Sequence, residues 1–251
     1  MDFTLTDEQQ ELKEQARAWL ADRFPLDRDW DSVDDRWGEL SELGWLDVAE
    51  AGLGFVEEAL LLEELGYALY PGPYLAHVTG RDDVFGPGGE IETVDPSRPL
   101  HRLPEASQES PRLRTACAAE ALGIAQRALE LGVEHASSRV QFGKPIGTYQ
   151  AVSHPLAQTY TDVELARSLV YWAAWCVTEE DERAPVAAAA AKAFAAEAAV
   201  AACERSIQVL GGIGFTWEHP LHRFYKRALW LEGFGARPPE LRLEVADALL
   251  G

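Results

Sequence analysis

Apolar residues recur along this chain at helical spacing, and glycine or proline breaks the pattern at nearly every boundary. Thr6 followed by Gln9 reads as a capping box, and behind it Leu12, Ala16, Trp19 and Leu20 fall on one face of a helix that stops at Phe24-Pro25. A second helix is predicted from Arg28 to Leu43, with Val33, Trp37 and Leu40 on one side and Gly44 as its stop. A third covers Phe55 to Leu69, apolar at Leu61, Leu62 and Leu65. Pro71-Gly-Pro73 ends it, and a helical turn near Tyr74 to Val78 follows. Residues 1–80 are therefore expected to form a small all-helical unit.

Residues 81–111 change character. Pro87, Pro96, Pro99, Pro104 and Pro111 punctuate a polar stretch that includes Gly86, Gly88 and Gly89. Only Ile91 to Val94 looks strand-like, so the segment reads as a linker with one hairpin at most. Beyond it the periodicity predicts four long helices, Arg112–Ser138, Tyr149–Glu179, Ala184–Leu210 and Leu221–Leu231, then a short one from Pro239 to Leu250. Long helices with short connections predict an antiparallel four-helix bundle over 112–251, so the fold class is all-α. The alanine-rich face of the third long helix suits close helix approach or an oligomer interface.

Composition narrows the possibilities. At 251 residues and 47% hydrophobic content the chain can bury a substantial core. A formal charge of −20 argues against nucleic acid or an anionic membrane as the main partner, and any anionic ligand needs a local basic patch. Arg223, Lys226 and Arg227 form one such cluster, readable as a solvated face or as a phosphate contact. The acidic N-terminus carries no signal-peptide pattern, and even the Ala184–Ala202 stretch contains Lys192 and Glu197, so a cytoplasmic protein is expected. Cys117, Cys176 and Cys203 are odd in number and sit in apolar helical patterns, which speaks against disulfides or zinc. Tyr171, Trp172 and Trp175 at helical spacing read as core.

Two constellations carry chemistry. The stretch from Arg139 to His154 and the run Gly211-Gly-Ile-Gly-Phe-Thr-Trp-Glu-His-Pro220 each consist of a helix, a glycine-broken turn and the next helix start. They place Arg139, Phe142, Gln208 and the Gly211–Gly212 backbone at helix ends, where a phosphate-bearing ligand can be held; Thr216 and Trp217 are weaker members. For Arg139 and Gly143 the plainer alternative is a helix C-terminus with its dipole partner and cap. His219 and His222 have a His-x-x-His spacing without an evident third ligand, so no metal is expected.

These motifs are similar to those of the acyl-CoA dehydrogenases. The resemblance extends to Met1-Asp-Phe-Thr-Leu-Thr-Asp-Glu-Gln-Gln10, Leu43-Gly-Trp-Leu46, Leu62-Glu-Glu-Leu-Gly66, Pro71-Gly-Pro-Tyr-Leu75 and Ala119-Glu-Ala-Leu-Gly-Ile-Ala125, in family order. It implies a helical domain and a C-terminal bundle flanking a central β-domain that here is reduced to the linker. It also implies that Arg139 meets the pyrophosphate of FAD, that Phe142 packs on the adenine side, and that Gln208, Gly211 and Gly212 complete the contact across a subunit interface.

The resemblance also exposes two gaps. The missing β-domain would hold much of the flavin and acyl-CoA. The catalytic Glu that removes the α-proton is expected fifteen residues after Pro220, where this chain has Gly235; the other usual place, beside Arg114, is Leu113. Glu232 and Glu120 are weak substitutes, so no catalytic residue is assigned. The expected role is that of a subunit in a hetero-oligomeric acyl-CoA dehydrogenase, acting on a fatty or steroid-derived acyl-CoA. A full-length sister subunit would then hold the base and most of the substrate. The alternative is a flavin-free scaffold or binding protein on the same fold.

Overall fold

The computed structural model describes residues 4–30, 34–81, 89–101 and 109–251. Four helices come from the first part: α1 (Asp7–Arg23), α2 (Trp37–Glu42), α3 (Phe55–Tyr67) and α4 (Tyr74–Thr79). The rest supplies α5 (Pro111–Ser138), a two-stranded hairpin of β1 (Val140–Gln141) and β2 (Lys144–Pro145), α6 (Gln150–Thr178), α7 (Ala184–Leu210), α8 (Leu221–Gly233) and α9 (Pro238–Leu250). The chain is all-α, with only this hairpin and a lone bridge between Ile91 and Leu100 among the described residues.

Local chemistry starts the helices where the pattern placed them. Thr6 accepts the Gln9 amide while Gln9 returns a bond to the Thr6 amide, closing the capping box of α1. Ser110 caps α5 through the Leu113 amide, with Pro111 in the first turn where its missing N–H costs nothing.

The second helix is shorter than its pattern predicts. Residues 31–33, with Val33, lie outside the described residues, and helix runs only over Trp37–Glu42. Arg36 sits at φ 53, and the Asp34 and Asp35 carboxylates cap the amides of Arg36 and Trp37. Side chains that satisfy backbone donors locally compete with the helix, and here they prevail. Leu69, at φ 52, likewise ends α3 before the predicted stop. Much of the predicted linker, residues 82–88 and 102–108, also lies outside the described residues.

The core is continuous from α1 to α8. α3 and α5 approach so closely that a Cβ on Gly123 would land on the Glu63 carbonyl, and one on Gly66 would land on the Glu120 carbonyl. These glycines belong to the two helical motifs of the family resemblance, which therefore meet at one crossing. α7 runs through the middle: Ala187, Ala188, Ala191, Ala195, Ala199 and Ala202 are fully buried, so the alanine face serves close packing within the chain. The span Ala184–Phe215 is long and apolar enough to cross a membrane, yet 67% of its apolar window is buried inside the protein.

Two buried charge networks tie the first helices to the bundle. Glu63 on α3 accepts from Lys13 at 2.9 Å, from Arg167 and from the Tyr171 hydroxyl at 2.7 Å, while Glu64 pairs with Arg17. In the second, Arg227 on α8 is fully buried and holds Asp95, the Ser97 hydroxyl at 2.6 Å and Glu120 at 2.5 Å; Arg98 adds a 2.8 Å bond to Glu120. The second network pins the 95–98 turn onto α5 and α8, and it makes Glu120 a structural carboxylate. Arg227 therefore does not share a solvated basic face with Arg223 and Lys226.

Candidate functional site

α5 and α7 run side by side in one direction. Near their starts Lys192 reaches Glu109, and near their ends the Ser206 hydroxyl donates to the Ala128 carbonyl at 2.7 Å while Gly132 packs on Ser206. Both C-termini therefore emerge at the same end of the bundle. Arg139 and Phe142 just after α5, Gln208 on the last turn of α7 and Gly211–Gly212 just after it therefore lie at that end.

The first turn differs from the simple capped terminus that the sequence allowed. Arg139 is the C-cap of α5, its amide bonded to His135, and the chain then doubles back through β1 and β2. Val140 pairs with Pro145 and Gln141 with Lys144, leaving Phe142 and Gly143 as a two-residue loop. Both have positive φ, 52 and 83, as the mirror-image turn that fits strand twist demands. Gly143 thus serves the hairpin and not the helix end. A phenylalanine in this region is strained, and Phe142 is also 93% exposed, in a T-shaped arrangement with Tyr149. The fold holds an aromatic ring in solvent at some cost, a pattern associated with ligand contact. The Arg139 guanidinium is exposed and has no side-chain partner among the described residues.

The second turn completes the corner. Gln208 is exposed on the last turn of α7, and Gly211 takes φ 64, ψ −133, which suits glycine alone. A Cβ at Gly211 or Gly212 would meet nothing within 4 Å, so a ligand can approach the backbone at both. Phe215 and Trp217 are exposed beyond them, at 77% and 76%.

His219 and His222 are used otherwise. His219 accepts from the Leu221 amide at 3.2 Å, and His222 packs edge-on against Trp217. Burial holds both below the usual imidazole range, helped by His135 for His219 and by Arg223 and Lys226 for His222. No cluster of three ligating side chains exists among the described residues.

The position expected for a base is filled by a group that sequence reasoning missed. A Cβ on Gly235, itself at φ 67, would land on the Glu109 carboxylate. Glu109 is buried there by the Ala236 amide at 2.7 Å, Lys192 at 3.2 Å and Arg114 at 3.0 Å. All the contacts of this carboxylate tie it into the protein interior, between α5, α7 and the turn after α8. No sequence signal marked Glu109, which sits at the end of the polar run 105–110. Leu113 is core, and Glu232 lies half-buried, its carboxyl raised by burial and by neighbouring Glu197 and Glu204.

The comparisons agree with this architecture. Residues 6–80 match the N-terminal domain of acyl-CoA dehydrogenases, and residues 108–235 match their C-terminal domain. The chain belongs to the acyl-CoA dehydrogenase family. The acyl-CoA dehydrogenase IpdE2 of Mycobacterium tuberculosis is 41% identical over 146 residues, covering 55% of this chain and 44% of that protein. FadE34 of the same organism is 44% identical over 121 residues, 48% of this chain and 17% of that protein. The chain thus spans less than half the length of these curated relatives. Among solved structures, butyryl-CoA dehydrogenase of Megasphaera elsdenii superposes with a TM-score of 0.84 at 21% identity, covering all of both chains. The ChsE4–ChsE5 complex of M. tuberculosis gives 0.77 at 22%, covering 100% of this chain and 99% of that one. At these identities the likeness establishes the shared fold.

Proposed function

We propose that this chain is one subunit of a heteromeric, FAD-dependent acyl-CoA dehydrogenase. Arg139, Phe142, Gln208 and the Gly211–Gly212 backbone would hold the nucleotide end of a flavin seated mainly in a full-length sister subunit. The observation that carries this reading is the corner itself: an exposed arginine without a side-chain partner among the described residues, a strained exposed aromatic, and open glycine backbone, all at one end of the bundle. These groups fit the FAD pyrophosphate and adenine, since a guanidinium and bare amides suit phosphate while an exposed ring suits a planar base. When bound, the flavin supplies the hydride acceptor for desaturation of an acyl thioester. This chain's residues would bind and orient it.

The filled space at Gly235 supports the division of labour. With Glu109 occupying the Gly235 position and tied to Lys192 and Arg114, this reading assigns removal of the α-proton to a carboxylate on the sister subunit. That two of the fold relatives are described as a ChsE4–ChsE5 complex and as a Tcur3481–Tcur3483 steroid acyl-CoA dehydrogenase makes a two-chain assembly, and a bulky acyl-CoA, a reasonable analogy. Co-expression with full-length acyl-CoA dehydrogenases encoded beside it tests the reading. The chain alone should purify colourless, and the correct pair should co-purify yellow and oxidise acyl-CoA. A yellow homo-oligomer that oxidises acyl-CoA unaided would end the proposal; a tight but colourless pair would favour the flavin-free scaffold.

A further inference from the structure

Two half-buried histidines meet the start of a helix in the turn from Thr216 to His222. This turn follows a short 3₁₀ segment, Gly211–Phe215, and leads into α8 at Leu221. His219 Nδ1 accepts the Leu221 amide at 3.2 Å, one of the donors that the first turn of a helix leaves without an intrahelical partner. His222 packs edge-on against Trp217, with ring centroids 4.6 Å apart, and neither of its buried ring nitrogens makes a hydrogen bond among the described residues.

Once protonated, both imidazoles would face charge of their own sign. His135 approaches His219 from α5, while Arg223, Lys226 and His219 surround His222. The positive end of the α8 dipole adds to this, because both rings stand within its first turn or just before it. Two groups favour the charged rings, Glu134 on α5 for His219 and the Trp217 backbone for His222. Burial and the cations outweigh them, which holds both rings below the usual imidazole range.

Protonation therefore removes what closes the turn. An imidazolium has two N–H donors and no acceptor, so His219 could no longer take the Leu221 amide. His222 would have two buried donors to satisfy beside two cations. Water relieves both, and the chain can let them reach it: Gly211 takes φ 64, and a Cβ on Gly212 would meet nothing within 4 Å. We propose that the 216–222 turn is an acid-opened latch, in which protonated His219 and His222 swing into solvent and the turn leaves the start of α8 and the end of α5. The open turn, with solvated rings, takes up protons near the ordinary imidazole value of about 6.5, before the closed turn does. The latch therefore holds above that pH and loosens as pH falls below it. It stands on this chain alone; that its opening also disturbs the Gly211–Gly212 backbone, and a nucleotide held there, rests on the function proposed above.

Hydrogen–deuterium exchange of the purified full chain, followed by mass spectrometry at about pH 7.5 and about pH 5.5 and corrected for the intrinsic rate at each pH, tests the latch. The segment 211–222 should lose protection in acid by roughly 2- to 13-fold, the factor for one lost hydrogen bond, while α3 and α5 keep theirs. The His219 and His222 ring signals, followed by NMR, should titrate below about 6.5. A double variant, His219→Asn with His222→Phe, separates the latch from general acid sensitivity. Asn still offers an acceptor to the Leu221 amide and Phe a ring to Trp217, and neither titrates, so its 211–222 segment should be equally protected at both pH values. Unchanged protection of 211–222 in the native chain, a loss spread over α3 and α5, ring signals that titrate at or above about 6.5, or a double variant that opens in acid as the native chain does would each overturn the proposal. Flavin content of an assembled complex enters none of these readings, so the latch and the subunit assignment fail separately.

Discussion

Replacing Gly235 by alanine should cost far more than adding one methyl group to an exposed turn. The backbone at φ 67 disfavours any L-side chain by about 1–2 kcal/mol. The new Cβ also lands on the Glu109 carboxylate, which must leave the Ala236 amide and the two cations that hold it. Lys192 is 2% exposed and would keep only the Phe234 carbonyl at 2.5 Å. Stranding a buried charge in this way costs about 3–5 kcal/mol. The two penalties fall on the same contact and do not simply add, so a loss of about 4 kcal/mol is expected, a large share of the roughly 5–15 kcal/mol typical of a folded domain. Urea unfolding at neutral pH reads the loss from the transition midpoints. Glu109→Ala provides the control: without that carboxylate, Gly235→Ala should cost only the backbone part, about 1–2 kcal/mol. Equal costs of Gly235→Ala in the two backgrounds would mean that Glu109 does not fill the position. The same reasoning predicts that Gly235→Glu fails to install a base.

Other outcomes follow from the same packing. Burial alone would raise Asp95, but the Arg227 charge and hydrogen bond, with Ser97, outweigh it and leave the carboxyl lowered. Its contribution to stability is therefore present above the unfolded-state value of about 3.9 and is lost as pH falls through the lower folded-state value. Urea titrations below pH 5 should accordingly show a shallower acid loss in Asp95→Asn than in the parent, and identical slopes would contradict this. Burial pushes the Cys117 thiol up to about 12 and raises Cys176 and Cys203 as well, so a thiol reagent at mildly alkaline pH should label none of the three until urea is added. Gly123→Ala should destabilise by about 3 kcal/mol, because a backbone carbonyl of α3 stands in the way, whereas Gly38→Ala, with nothing within 4 Å, should be neutral or stabilising in the same assay.

How far the sequence could be read depended on the range of the interactions. Helix starts were legible because their causes are local: Thr6 and Gln9 lie one turn apart, and Pro111 stands at the start of its helix. The long helices were legible from their periodicity. The region around α2 was not, since the αL backbone at Arg36 and the Asp34 and Asp35 caps outweigh a sound apolar pattern. The basic triplet on α8 divided for the same reason: Arg227 turns inward to Asp95 and Glu120, partners 132 and 107 positions away, and no spacing rule could have paired them. Glu109 at the Gly235 turn is the sharpest case. A polar residue in a proline-punctuated stretch gives no sign that it will fill the space beside a glycine 126 residues on.

The account turns on whether Arg139 serves a flavin held by another subunit. The most direct measurement is the flavin-to-protein ratio, from visible absorbance, of the co-purified complex with native or Arg139→Ala forms of this chain. The native complex should keep its flavin through dialysis, and the variant should assemble equally well but lose it, with affinity reduced by about tenfold or more. An Arg139→Ala complex that assembles and retains its full complement of flavin would contradict the assignment.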